Sequence, residues 1–266
     1  MFRISLKLTV DIRWPQDTTG RLYTLGIYDA EFYADMEISS VTSAKEIVPM
    51  LLNLYHPDSI VDFGCGTGAF AVEFLQNGIK DVIGYEGDWM RTAKTLLQKD
   101  RFIYVDFKDE IKPSRKYDMC LCLEVAEHID HSSARTLISS LTALSQRIVF
   151  SAAIPHQGGN HHINEQWPEY WAHLFAEKGY ILAWDPRISI WNNSKIASCY
   201  RQNLLVFEKS SESEINVPLS LVHPEAWNLG MKYRKVPIWL RALQLLPRPL
   251  LRLGKRVFLR TVGSLK

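Results

Sequence analysis

The chain has 266 residues, of which 47% are hydrophobic and 23% charged, and its net charge is only +2. That balance excludes a disordered or fibrous chain and fits a globular protein, either one large domain or one domain with an appendage. No apolar run approaches the ~20 residues that cross a bilayer. The N-terminus lacks a clear apolar stretch and cleavage site, and Cys65, Cys120, Cys122 and Cys199 form no Cys-x-x-Cys pair. A cytoplasmic protein without a signal peptide or disulfide framework is expected.

In chain order, Phe2 to Val10 reads as a possible strand, followed by turns around Pro15 and Gly20. Tyr23, Tyr28, Phe32 and Tyr33 are an aromatic cluster, either a lid or packing against the first helix. Ser43-Ala44-Lys45-Glu46 has the spacing of a capping box. It predicts a helix through Leu54 that buries Ile47, Met50, Leu51 and Leu54, with Pro49 causing a kink or a delayed start. His56-Pro57 ends it.

Next comes Ser59-Ile60-Val61-Asp62-Phe63-Gly64-Cys65-Gly66-Thr67-Gly68, an apolar strand running into three alternate glycines. Glycines there turn the backbone sharply and let a ligand approach main-chain amides at the start of the next helix. Their spacing departs from the dinucleotide fingerprint, whose third glycine comes three residues after the second. Ala69 to Asn77 is a predicted helix stopped by Gly78. Asp81 to Glu86 is a strand ending on an acid about twenty residues past the first glycine, a spacing suited to ribose hydroxyls. Asp88 caps a predicted helix over Trp89 to Gln98, with Trp89 either near an adenine or packed between helix and sheet. Phe102 to Phe107 and Met119 to Leu123 are further strands.

Asp-x-Gly-x-Gly-x-Gly at Asp62 to Gly68, Glu86, Asp106-Phe107 and Glu124-Val125-Ala126-Glu127-His128 occur in this order. Together they resemble the class I S-adenosylmethionine-dependent methyltransferases over roughly Ser43 to Lys209. The resemblance implies an α/β, Rossmann-like three-layer sandwich with a seven-stranded, mostly parallel sheet whose last strand is antiparallel. An N-terminal lid and a C-terminal helical tail are added to it. It implies S-adenosylmethionine as cofactor. Gly64, Cys65, Gly66 and Gly68 would cradle the methionine part, with Asp62 orienting the loop or the ammonium. Glu86 and Gly87 would hold the ribose, Asp106 and Phe107 the adenine, and Leu123 and Glu124 the floor.

Ser132 or Ser133 caps a predicted helix to Gln146, and Arg147 to Ala152 is an all-apolar fifth strand. Pro168 opens a helix to Lys178, and Tyr180 to Trp184 and Asn203 to Phe207 are the last strands. Trp167, Tyr170, Trp171 and Phe175 are mostly core by their spacing, with Trp167 and Trp171 on one face able to line an acceptor pocket.

Methyl transfer from a sulfonium is an in-line displacement, so much of its catalysis is positioning. A general base is needed only where the acceptor loses a proton. Two clusters qualify at the strand ends. Glu124, Glu127 and His128 share a face if a helical turn starts at Glu124, and the loop His156 to Gln166 carries His161 and His162. The favoured reading makes His128 or His161 the base on the hydroxyl of a small molecule, a lipid-linked molecule or a glycan. The alternative resembles the metal-dependent 2′-O-methyltransferases of small-RNA 3′ ends, with Glu124, Glu127, His128 and His161 or His162 as ligands. Mg²⁺, however, prefers oxygen donors. A third reading is a non-catalytic cofactor-binding module, favoured if the His156 to Gln166 loop were closed and remote.

Ser210 to Glu214 is a polar linker, which suggests a division into an N-terminal segment (1–42), a cofactor-binding domain (43–210) and an extension (211–266). From Ala226 onward there are ten lysines or arginines and no acid, leaving 21 basic against 29 acidic residues elsewhere. Pro237 to Leu246 and Leu250 to Leu259 are apolar segments studded with these cations. Ile238, Trp239, Leu243 and Leu246 can share a helical stripe. The pattern reads as peripheral contact with a membrane, ahead of simple packing and of nucleic-acid binding.

Overall fold

A computed structural model describes residues 30–159, 161–211 and 216–233. The expected strand at Phe2 to Val10, the aromatic positions Tyr23 and Tyr28, and the tail segments 237–246 and 250–259 lie outside the described residues.

Seven strands form one sheet: β1 (Ser59–Phe63), β2 (Asp81–Glu86), β3 (Phe102–Tyr104), β4 (Met119–Leu123), β5 (Arg147–Ser151), β6 (Tyr180–Trp184) and β7 (Leu205–Lys209). Their order is β3-β2-β1-β4-β5-β7-β6. β7 runs antiparallel between β5 and β6, and the other pairings are parallel. This is the expected mostly parallel sheet with an antiparallel last strand. The chain moves outward from β1 to β3 and then returns to β4 beside β1. The loops after β1 and β4 therefore diverge, and open α/β sheets bind ligands in such a crevice.

Alternate residues of the strands feed two cores. On one face Val61, Cys120, Cys122, Ile148 and Phe150 pack under α3 (Ala134–Leu144) and α4 (Pro168–Glu177). On the other, Ile60, Met119, Leu121 and Val149 pack under α1 (Ala30–Tyr55) and α2 (Ala69–Gln76). Burial on both sides explains why the strands read as continuous apolar runs.

Several local expectations are corrected. Ser43 is not a helix cap, because α1 already runs through it from Ala30 with Pro49 inside. Ser43 Oγ instead donates to Ser39 O at 2.7 Å and accepts from Ala197 N at 2.9 Å. Glu46 holds Asn193 and Lys195. Both residues of the supposed box are tertiary anchors. Ala44, Ile47, Val48 and Leu51 make the buried face, while Leu54 is exposed.

The helix expected over Trp89 to Gln98 is only a 3₁₀ turn at Asp88–Arg91 followed by turns. Leu96 and Leu97 donate their amides to Thr67 O, so that segment folds beneath the glycine loop instead. The last strand starts at Leu205 rather than Asn203. Two short helices that had no expectation, α5 (Arg187–Ile190) and α6 (Ser198–Asn203), fill the crossing from β6 to β7. After β7 the chain returns to α6 and ends its described part in α7 (Pro224–Tyr233).

Candidate active site

The glycine loop joins β1 to α2. Gly64, Gly66 and Gly68 have φ of 75°, 55° and 91°, all in the left-handed region that a Cβ disfavours. A Cβ on Gly64 would come within 2.4 Å of Val125, and one on Gly68 within 2.4 Å of Leu97. Gly66 has nothing within 4 Å of that position. Its neighbours are closed by packing and the middle glycine opens into free space, so the loop has the shape of a cradle.

The loop is fixed from beneath. Gly64 N and Cys65 N donate to Tyr85 O at 2.8 and 3.3 Å. The Glu86 carboxylate accepts from Gly66 N at 2.7 Å and from Gly87 N at 2.9 Å. Each of its oxygens keeps acceptor capacity for a ribose hydroxyl. Burial raises the Glu86 carboxyl above its ordinary range, against the lowering by these amides. Asp62 is fully buried in β1, where burial and then the Glu86 charge push its carboxyl up to about 7. It accepts the amide of Ala71 in the first turn of α2. The Cys65 side chain occupies the space that Gly84 leaves open in β2.

Beyond β3, Phe107 is buried against Phe63, and its ring centroid lies 6.1 Å from that of Trp89. Trp89 is exposed and lies over Gly87, where a Cβ would meet its ring at 2.0 Å. Packing between helix and sheet is therefore not its role. Asp106 is exposed and accepts from Lys108 N. Gly66, Glu86, Gly87, Trp89 and Phe107 are linked by these contacts, and their amides, carboxylate and aromatic faces are the groups that fit an adenosyl moiety.

Leu123 ends β4, and Glu124 follows with φ 54°. The turn Ala126–His128 is a single 3₁₀ turn. The Glu124 carboxyl approaches that of Glu127 but is not one of the three closest ligand groups, Glu127, His128 and His162. Asn203 Nδ2, at the end of α6, donates to both its oxygens at 3.1 and 3.4 Å, and Gln157 Nε2 lies 3.5 Å away. Neither amide was singled out from the sequence, and Asn203 sits where a strand was expected. Burial raises the Glu124 carboxyl, opposed by the Asn203 hydrogen bond. Burial and the Glu124 charge raise Glu127 further. Both Glu127 oxygens are buried, and the groups nearest them, the Glu127 and Ala153 amides and the Glu124 carboxyl, make no well-directed hydrogen bond to them.

The loop after β5 folds back on this turn. Ile163 N and Asn164 N both donate to Glu127 O, at 2.9 and 3.0 Å. The loop is therefore held against the turn that follows β4. Glu165 organises it, accepting from His156 N, Gly158 N and the His162 imidazole. Burial pushes the Glu165 carboxyl up, but the His162 and amide hydrogen bonds outweigh it and hold it below the ordinary range. The absence of a Cβ on Gly159 lets the His162 ring lie against the main chain. Ligand atoms of Glu127, His128 and His162 all lie within 4.8 Å of one another. His161 contributes its carbonyl, 3.3 Å from His128 Nδ1, while its exposed ring is not in that trio. Although His128 is exposed as a whole residue, desolvation of its ring by the neighbouring loop and then His162 push it down to about 4, which leaves it neutral at physiological pH. With Nδ1 of His128 donating to His161 and Nδ1 of His162 to Glu165, both rings keep Nε2 free as acceptor or ligand.

Trp171 is core, packed on Phe150, and does not share an acceptor face with the exposed Trp167. Among the described residues, no helix is long and apolar enough to cross a membrane.

A family model described as a methyltransferase domain matches residues 40–198. Among curated proteins no sequence matches. The chain resembles the solved methyltransferase domain of a bacterial Hen1 at 16% identity, over 65% of this chain and 100% of that one, with a TM-score of 0.47. It resembles magnesium protoporphyrin IX methyltransferase from Synechocystis, solved with S-adenosylhomocysteine, at 17% identity, over 67% and 88%, with a TM-score of 0.45. It also resembles an O-methyltransferase family protein from Burkholderia thailandensis at 16% identity, over 69% and 61%, with a TM-score of 0.48.

Proposed function

The chain belongs to the methyltransferase domain family and is an S-adenosylmethionine-dependent enzyme, and from that premise we propose that it methylates a hydroxyl group. The bound donor supplies an electrophilic methyl on a sulfonium. The chain's part is to hold donor and acceptor in line. Asp62, Gly64, Cys65, Gly66 and Gly68 take the methionine end, Glu86 and Gly87 the ribose, and Asp106 and Phe107 the adenine. Leu123 and Glu124 form the floor. Trp89 joins them as an aromatic wall over Gly87.

The observation that carries the oxygen acceptor is His128. It is an exposed residue that follows β4, its Nδ1 is tied to the His161 carbonyl, and that tautomer leaves Nε2 as the acceptor, a weak base with its pKa lowered to about 4. A neutral imidazole so placed accepts the proton that an attacking hydroxyl releases. His161 then acts through its carbonyl as a positioning residue. His128→Gln is expected to lower turnover about 10²–10⁴-fold with S-adenosylhomocysteine affinity unchanged. A variant that still turns over normally sinks the assignment.

A second reading rests on the buried Glu127 carboxyl, which lies within 4.8 Å of ring nitrogens of His128 and His162 and has no well-directed hydrogen bond. Two imidazoles and a carboxylate fit a first-row divalent cation better than Mg²⁺. Such a cation would polarise an acceptor diol, as in RNA ribose methylation. Calorimetric titration of Mn²⁺ into the metal-stripped chain, with and without a short RNA, separates the two. Metal-dependent RNA binding supports the second reading and its absence the first.

A further inference from the structure

Most of the large apolar side chains left in water stand at one end of the sheet, the exceptions including Leu54 at the end of α1 and Ile103 in the edge strand β3. Trp89 after β2 is 64% exposed, and Ile188 in α5 is 65% exposed. Trp167 ahead of α4 is exposed as well. Leu219, on the segment that returns to α6, is 67% exposed, and Trp227 and Met231 in α7 are exposed one helical turn apart. These residues stand at the carboxyl end of the sheet, where the glycine loop and Glu124 open. The opposite end is a cleft lined by charge, including Lys116, Asp118, Arg147 and Lys209. Exposed apolar side chains gathered at one end of a molecule mark an interaction face.

The chain that leaves this end says what the face meets. Residues 234–266 carry nine lysines or arginines and no acid, interleaved with Ile238, Trp239, Leu243 and Leu246. Apolar groups beside unopposed cations complement a bilayer with anionic headgroups.

The returning segment is also built into the site. Gln202 donates its amide to Leu221 O and accepts from His223 N, so one side chain holds the segment as a neighbouring strand would. The buried Arg201 bonds Glu225 and Trp191 O. Asn203, at the end of the same helix, holds Glu124.

We propose that this end of the molecule docks on an anionic lipid surface and that the acceptor is a membrane-borne amphiphile, its hydroxyl presented to the crevice from the bilayer. The inference rests on the methyl-transfer reading of the same site.

The test uses the full chain and vesicles of phosphatidylcholine with or without phosphatidylglycerol. Binding is expected only with phosphatidylglycerol, and the triple variant Leu219→Glu, Trp227→Glu, Met231→Glu should weaken it about tenfold or more. S-adenosylhomocysteine affinity, measured on both proteins, reports that they are folded and should not differ. Labelled methyl groups from S-adenosylmethionine should enter the organic phase of a lipid extract. Absence of vesicle binding, binding that ignores the triple variant, or self-association through this face without vesicle binding overturns the proposal. So does label that stays in water-soluble acceptors. Failure of the wild-type chain to bind S-adenosylhomocysteine would instead overturn the methyl-transfer reading, whatever the vesicles show.

Discussion

The two loops that face each other across the β1/β4 crevice bend by opposite means. On the donor side, the left-handed positions are Gly64, Gly66 and Gly68, which take them without strain. On the acceptor side, alongside Gly158 and Gly159, they fall on Glu124, His156 and His161. A left-handed residue with a Cβ costs about 1–2 kcal/mol, and only surrounding structure holds it there. For Glu124 the holders are Asn203 and Gln157, and for His156 the Glu165 carboxylate that accepts its amide. The donor side is a relaxed surface of fixed shape. The side proposed to meet the acceptor holds its strain in Glu124, His156 and His161 and depends on partners distant in sequence to keep it.

The sharpest test of that contrast lies within the glycine loop. Gly68→Ala combines left-handed strain with overlap on Leu97 and should lower stability by about 2–5 kcal/mol, read by thermal or denaturant unfolding. Gly66→Ala meets no neighbour, so its folding cost is only about 1–2 kcal/mol. If the open space belongs to the donor, calorimetry will show that variant folded and unable to bind S-adenosylhomocysteine. Normal affinity would mean that the cradle holds something else.

On the acceptor side, Asn203→Ala removes a donor from a buried carboxylate and should lower turnover by one to two orders of magnitude, about 1–3 kcal/mol. Donor affinity should fall by less than turnover, since Glu124 is only the floor of a site held mainly by the glycine loop and Glu86. An equal loss of both would join the two sides into one unit. Glu86→Ala should weaken S-adenosylhomocysteine binding about ten- to a hundredfold, the loss of charge-assisted bonds to the ribose.

The smallest effect is with pH. In the free chain Asp62 titrates near 7, against an ordinary 3.8, because it is buried and near Glu86. Between those values the folded chain keeps a proton that the unfolded chain has lost. The stability Asp62 contributes is thus present below 3.8 and fades as pH rises through about 7. A cationic donor favours the ionised form, so its affinity should rise with pH up to about 7 and then level off. A flat profile from pH 5 to 8 would move the ammonium away from Asp62.

The same contrast decides what the sequence discloses. Alternate glycines after an apolar strand, and an acid closing the next strand, are local signals of a local structure, and the sheet follows from its apolar runs. The acceptor side is assembled from residues far apart in sequence. Nothing local marks Asn203 as the partner of Glu124, since its segment is apolar enough to extend β7 and the helix α6 exists through tertiary contacts. The capping box at Ser43 is the converse case. Its residues have the right spacing, but a helix already under way leaves their side chains free to grip the turn before α6. For Trp89 to Gln98, Leu97 is drawn under Gly68, and that packing outweighs helical propensity.

Gln202 reads the segment 221–223 only through its main chain, yet Arg201 beside it is buried and relies on Glu225. Shortening the protein before residue 216 would strand a guanidinium in the interior with a key counter-charge gone, a far larger penalty than losing a surface helix. Leu221 is gripped through its peptide oxygen, so its side chain can change with little consequence, but the number of residues from α6 to Glu225 cannot.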